Sequence, residues 1–98
     1  EAHYSTFRKN KTMYKVFEDY SSLSRYYGGS DKFKIPNSIL KKNVKKITVK
    51  AFYNNKTLKH VEVGKNVISI GSFAFAKCSE LESVEFKGSI KFIGKGAF

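Results

Sequence analysis

Four of the eight carboxylates in this 98-residue chain, Glu62, Glu80, Glu82 and Glu85, fall within one short stretch. They share it with His60 and with the chain's single cysteine, Cys78. Two carboxylates at close range can act as general acid and base, or hold a cation. A thiol beside a base can act as a nucleophile once its pKa is lowered. Glu62 and Glu85 stand 23 positions apart. If the chain stacks at that period, they oppose each other on adjacent strands about 5 Å apart. The case for chemistry then weakens. A carboxylate on a strand face is ordinarily solvated, and Lys59 and His60 are near enough in sequence to relieve the like charge. No Asp-rich loop of calcium-binding spacing accompanies the glutamates. His60 is the one base near Cys78, and no carboxylate is fixed by spacing to orient it; His3 lies in an N-terminal stretch without pattern. A lone cysteine excludes an internal disulfide and a cysteine-based zinc site within one chain. The residues imply no enzyme, no metal and no cofactor.

The basic residues offer a different chemistry. Lys41, Lys42, Lys45, Lys46 and Lys50 lie within ten positions, in a chain whose 19 Lys+Arg and 8 Asp+Glu give a net charge of +11. Residues 1–34 hold +3 of this and residues 35–98 hold +8. A lysine ridge attracts polyanions such as glycosaminoglycans, teichoic acids or nucleic acid through screened, salt-sensitive forces. Sequence-specific reading of nucleic acid wants Arg and stacking aromatics. Only two of the basic residues are Arg, Arg8 and Arg25. Hydrophobic residues make up 41% of the chain and aromatics 15%, enough for a packed core and too many for simple disorder. No run approaches the 18 apolar residues of a membrane-spanning helix. The chain opens on Glu1 rather than Met, which implies processing or trimming.

What must position these side chains is an internal repeat. Ala-Phe recurs at Ala51-Phe52, Ala74-Phe75 and Ala97-Phe98, each pair 23 positions after the last. Sliding the chain by that period aligns residues 35–52, 58–75 and 81–98, with six columns apolar in all three copies. Chance at this composition gives about one such column. Each unit opens on alternation, Leu58-Lys-His-Val61-Glu-Val63 and Leu81-Glu-Ser-Val84-Glu-Phe86. Val61/Val63 and Val84/Phe86 therefore face inward, with Glu62 and Glu85 outward. A turn, a short apolar pair (Val67/Ile70, Ile90/Ile93), a glycine and the Ala-Phe segment follow. Stacked units bury a core that no single unit can close.

Residues 67–98, beginning Val-Ile-Ser-Ile-Gly-Ser-Phe-Ala-Phe-Ala-Lys-Cys-Ser-Glu-Leu, resemble the BspA-like leucine-rich repeats. That family repeats an Ile-Gly-x-x-Ala-Phe-x-x-Cys-x-x-Leu-x-x-Val-x-Ile theme on bacterial and some protist surface proteins. Ile35-Pro36-Asn37-Ser38-Ile39 is similar to the family's opening repeat. The resemblance pairs Ile35-Pro36 with Val63-Gly64 and gives the first unit five extra residues. Tyr26-Tyr27-Gly28 through Ile35-Pro36 is similar to the strand–turn–strand lead-in that covers the N-terminal edge. Upstream, Met13, Val16, Phe17 and Tyr20 fall at i, i+3, i+4 and i+7, as in an amphipathic helix. Tyr14–Val16 and Leu23–Tyr26 around residues 18–22 read equally well as a hairpin, and the resemblance favours the hairpin. Residues 1–11 carry no pattern. Two positions depart from the theme: Thr48 replaces a glycine, and Asn55 stands where Cys78 stands one unit later.

The expected architecture is mainly β: a leucine-rich-repeat solenoid of 23-residue units with an N-terminal β-hairpin cap. Residues 1–34 form the tail and cap, and residues 35–98 about two and a half units. The resemblance implies a cell-surface or secreted module that binds protein or host-surface macromolecules without catalysis. Its exposed strand face would present Lys59, His60, Glu62, Glu82, Ser83 and Glu85 to a partner. The competing reading is a polyanion site at Lys41, Lys42, Lys45, Lys46 and Lys50, on the loop side opposite the acidic strand face. A purely structural role, as the capping end of a longer solenoid, is the third. Cys78 is expected to be a buried packing residue at a repeat corner. Residues 81–98 are expected to leave an open repeat edge, from a cut within a longer solenoid or for end-to-end self-association.

Overall fold

The computed structural model describes residues 3–98, and among them every regular element is a β-strand. The strands are β1 (Ser5–Lys9), β2 (Thr12–Val16), β3 (Ser21–Tyr26), β4 (Lys32–Lys34) and β5 (Ser38–Ile39), followed by β6 (Lys42–Ile47), β7 (His60–Val63), β8 (Ser69–Ile70), β9 (Ser83–Phe86) and β10 (Phe92–Ile93). Two sheets enclose the core. One runs β1-β2-β3-β6-β8-β10 with β5 attached to β6; the other runs β4-β7-β9. From β3 onward the main ladders are parallel, as in a solenoid whose every turn visits both sheets.

The 23-residue period is the repeat of these ladders. Ile47 opposes Ile70 and Ile70 opposes Ile93, while Val61 opposes Val84 in the smaller sheet. Ala51, Phe52, Val44, Ile47 and their counterparts one turn on are all buried. Phe52 and Phe75 stack with centroids 4.7 Å apart and rings 11° from parallel; Phe75 and Phe98 stack at 5.2 Å and 7°. That spacing is the distance between paired strands, so the ladder itself sets the ring separation. Tyr26 begins the column, 5.5 Å from Phe52.

The five extra residues are accounted for. Lys32 opposes His60, an offset of 28, whereas Lys46 opposes Ser69, an offset of 23. Between them, β5 folds back on β6 through Leu40 and Lys41, both at positive φ (49° and 67°). A two-residue loop of this hand matches the twist of the flanking strands. The same geometry closes β1 on β2 through Asn10 and Lys11.

The two departures from the repeat theme also have causes. A Cβ at Gly71 would sit 2.5 Å from the Val49 nitrogen, so the turn below forbids a side chain there. Thr48 lies one turn earlier, on the end of β3, and its hydroxyl donates to the carbonyls of Leu23 and Ser24. Asn55 reproduces the role of Cys78. Each donates to a carbonyl of the preceding turn, Asn55 Nδ2 to Gly28 and Cys78 Sγ to Phe52.

The segment 13–20 is not a helix: Tyr14 is buried in the second strand of a hairpin-built cap, with Phe7 and Val16 packed on the core. The strand β1, which the sequence left without pattern, adds the cap's outer edge; it is almost wholly exposed and so shows no apolar alternation. The lysine run is likewise corrected. Lys42, Lys45 and Lys46 lie on strand β6, not on a loop. Val44 and Ile47 point inward three positions apart across a register irregularity, which hides the alternation of a strand.

The last turn is open. Phe98 is 58% exposed and Ile93 59%, whereas Phe75 and Ile70, one turn earlier in the same columns, are 2% and 1%. Burial on both faces therefore governs what each phenylalanine contributes. Phe52→Ala is expected to destabilise the fold by about 3–5 kcal/mol, and Phe98→Ala by less than about 1 kcal/mol, in chemical denaturation. Equal losses would show that stacking on both faces does not set the contribution.

Candidate functional site

The outward face of the three-stranded sheet carries most of the residues singled out above. Its register sets Lys32, His60 and Ser83 in one row and Lys34, Glu62 and Glu85 in another. Phe33, Val61 and Val84 form the intervening row, turned inward onto the core. A shallow depression of about 440 Å³ lies over these strands, lined by Lys32, Phe33, Lys34, His60, Val61, Glu62, Ser83 and Glu85. His60, Glu62, Ser83 and Glu85 are thus brought together on one face. Glu82 stands at the rim, its Oε1 3.7 Å from His60 Nε2. Lys59 is half-buried and does not line the depression; its carbonyl accepts the amides of Glu82 and Ser83.

Lys32 and Lys34 escaped the sequence reading. The offset of 28 places them opposite His60 and Glu62, whereas sliding by 23 puts other residues there. The signal was present in the pairing of Ile35-Pro36 with Val63-Gly64: counting back from it brings both lysines onto the face. Their presence corrects the picture of an acidic strand face opposite a basic loop face, because one edge of the strand face is itself basic. It also corrects the source of charge relief. Lys34 Nζ lies 3.8 Å from Glu62, and Lys87 Nζ donates to Glu85 at 3.0 Å. Glu85 in turn holds the exposed Lys87 ammonium above its ordinary pKa.

Ser83 Oγ is 2.8 Å from His60 Nδ1, with Glu82 on the other ring nitrogen, which superficially orders a serine, a histidine and a carboxylate. An oxyanion needs free donors beside the nucleophile. The amides of Glu82 and Ser83 both donate to the Lys59 carbonyl at 2.8 and 3.1 Å, so neither of these two is free. Glu62 and Glu85 do oppose each other across β7 and β9, but each has its own lysine.

The polyanion candidates occupy the other sheet. Lys41 is at the β5–β6 turn, Lys42, Lys45 and Lys46 are on β6, and Lys50 is at the corner beyond. Two already face aromatic rings: Lys46 Nζ lies 5.4 Å from the Tyr20 ring and Lys50 Nζ 5.2 Å from Tyr53. Tyr20 stacks on Phe17 at 4.6 Å, Phe17 meets Tyr4 at 5.5 Å, and Lys15 caps Tyr4 at 4.7 Å. This cation–aromatic arch spans the row Lys15, Ser22, Lys46 and buries Ser22.

Parallel strands in two sheets, a 23-residue turn and a stacked Ala-Phe corner define a β-solenoid of the leucine-rich-repeat class. The family described as BspA type leucine-rich repeat region (six copies) matches residues 25–98. The chain belongs to that family. It is similar to the crystal structure of a leucine-rich cell surface protein from Faecalibacterium prausnitzii, at 25% identity and a TM-score of 0.87, covering 96% of this chain and 27% of that one. A leucine-rich repeat protein from Bacteroides capillosus is 31% identical with a TM-score of 0.78, over 84% of this chain and 65% of that one. A leucine-rich repeat protein of T. pallidum is 26% identical with a TM-score of 0.75, over 83% and 39%. No curated protein matches the sequence. The chain therefore spans less than two thirds of each of the three solved relatives.

Cys78 behaves as a packing residue. It is half-buried, and burial pushes its thiol above the ordinary value, against the lowering influence of the Asn55 backbone and Lys56. A raised pKa leaves less thiolate at neutral pH. Cys78 is expected to react with a disulfide reagent at pH 7 more slowly than free cysteine, by about severalfold, with the difference narrowing as pH rises. Reaction at the free-cysteine rate at pH 7 would mark it as an activated thiol.

Proposed function

We propose that this chain is a non-enzymatic binding module of a cell-surface or secreted protein, holding a macromolecular partner on the outward face of β4, β7 and β9. One observation carries this reading. The depression over those strands is left unfilled by the described side chains, while on the larger sheet an aromatic arch covers the row Lys15, Ser22, Lys46. A regular ladder presents its outward side chains at fixed spacing, so little ordering entropy is lost when a partner docks. Membership in the BspA-type family and likeness to a protein described as cell-surface support the location. Binding to immobilised extracellular-matrix proteins is expected to fall about tenfold or more when His60, Glu62, Ser83 and Glu85 are changed to alanine. The same binding should survive Lys41/Lys42/Lys45/Lys46→Glu. Retention on heparin that persists at 0.5 M salt and collapses in the lysine variant, with matrix binding indifferent to the face, would select the polyanion reading instead.

A second reading concerns the end of the ladder. Phe86, Phe92, Ile93 and Phe98 are exposed together where β9 and β10 form the free edges of both sheets. Exposed apolar edge strands are templates for pairing. Self-association of a second copy through residues 81–98 is expected to appear as a concentration-dependent mass in sedimentation, abolished by Phe92→Lys and Ile93→Lys. A strictly monomeric species at millimolar concentration refutes it.

A further inference from the structure

We infer that the β4–β7–β9 face recognises a polypeptide segment carrying a carboxylate and a cation about 10 Å apart, the carboxylate over β4 and the cation over β9. This rests on the binding-face reading above and adds the partner's chemistry. The face changes sign along its strand order. β4 contributes Lys32 and Lys34, β7 contributes His60 and Glu62, and β9 contributes Glu85 with Glu82 just before it. The outer strands are two strand spacings apart, about 10 Å.

Both poles keep charge to offer. Among the described residues, Lys32 has no carboxylate within ion-pair distance and Glu82 meets only His60 at 3.7 Å, while Glu85 is held by Lys87 at 3.0 Å, so Glu82 is the freer acid of the β9 pole. Lys34 reaches Glu62 at 3.8 Å while its side chain stays 74% exposed. Between the poles the floor of the depression is the strand ladder itself, with Phe33 and Val61 turned toward the core beneath it. Like charge across a contact disfavours a partner. A polyanion that satisfied β4 would meet Glu82 and Glu85, and a polycation that satisfied β9 would meet Lys32 and Lys34. An anionic membrane surface fails for the first reason. A polypeptide can fix both signs at the required spacing: residues i and i+7 of a helix lie on one side about 10 Å apart.

The test uses three helical peptides on one alanine–glutamine scaffold, with Glu and Lys, two Glu, or two Lys at positions i and i+7. They are titrated into the isotopically labelled chain and followed by amide shifts. The mixed peptide should bind about 3- to 10-fold tighter than either uniform one. It should shift the amides of residues 32–34 and 83–86, and lose its advantage at about 0.5 M salt. In Lys32→Glu/Lys34→Glu the preference should pass to the two-lysine peptide. Equal affinities, a preference for the two-glutamate peptide, shifts confined to β6, or no shifts at millimolar peptide would each overturn the inference. If the peptides fail while the alanine changes still abolish matrix binding, the face stands and its polarity does not; if both fail, the face itself is refuted.

Discussion

Everything in this molecule depends on the strand-to-strand spacing being kept through the core. A single 23-residue turn has a few inward side chains and no second layer to bury them against. Only the turn above and the turn below can close it. The spacing of paired strands then becomes the spacing of everything else, including the phenylalanine rings at 4.7 and 5.2 Å. Aromatic pairs left to themselves favour offset or edge-on contacts. Here the ladder holds them nearly parallel, and the same close approach excludes a side chain at Gly71.

That constraint divides the surface from the core by position alone. Inward columns are occupied by packing and tolerate little, so recognition has to use outward positions. The two sheets differ in what their outward positions are free to do. On the larger sheet, Lys15 and Lys46 clamp the Tyr4–Phe17–Tyr20 stack, which covers the row between them. On the smaller sheet none of the described residues lies over the ladder, and the depression between β4 and β9 stays open. A charge run in the sequence therefore says less about binding than the sheet on which it falls.

The repeat was legible because its inward columns recur at one period, and so were the inward and outward choices in β7 and β9. Asn55 and Thr48 looked like losses from the pattern, yet the side chain of each donates to backbone carbonyls of the preceding turn. What escaped was structure whose signal is not periodic. β1 is exposed on nearly every residue, and the irregularity in β6 spaces Val44 and Ile47 by three. The candidate face was readable for its two regular strands. Its third strand was displaced by an insertion, and the two lysines on it were invisible to any fixed period.

That insertion shows how a solenoid tolerates a length that does not fit its repeat. Five residues spread along a turn would put every later side chain out of register with its column, and a one-residue slip already reverses the faces of a strand. The chain instead folds the surplus into the β5–β6 hairpin, whose ends return close together: the Val44 amide donates to the Asn37 carbonyl at 3.0 Å. Two residues with positive φ, neither of them glycine, make the reversal. Because the loop is closed on itself, β4 enters the smaller sheet in step with β7, and β6 enters the larger one in step with β8. The hairpin thus sets which residues of the cap segment face outward beside His60 and Glu62. The strain of one tight turn is what places a basic strand at the edge of an otherwise acidic face.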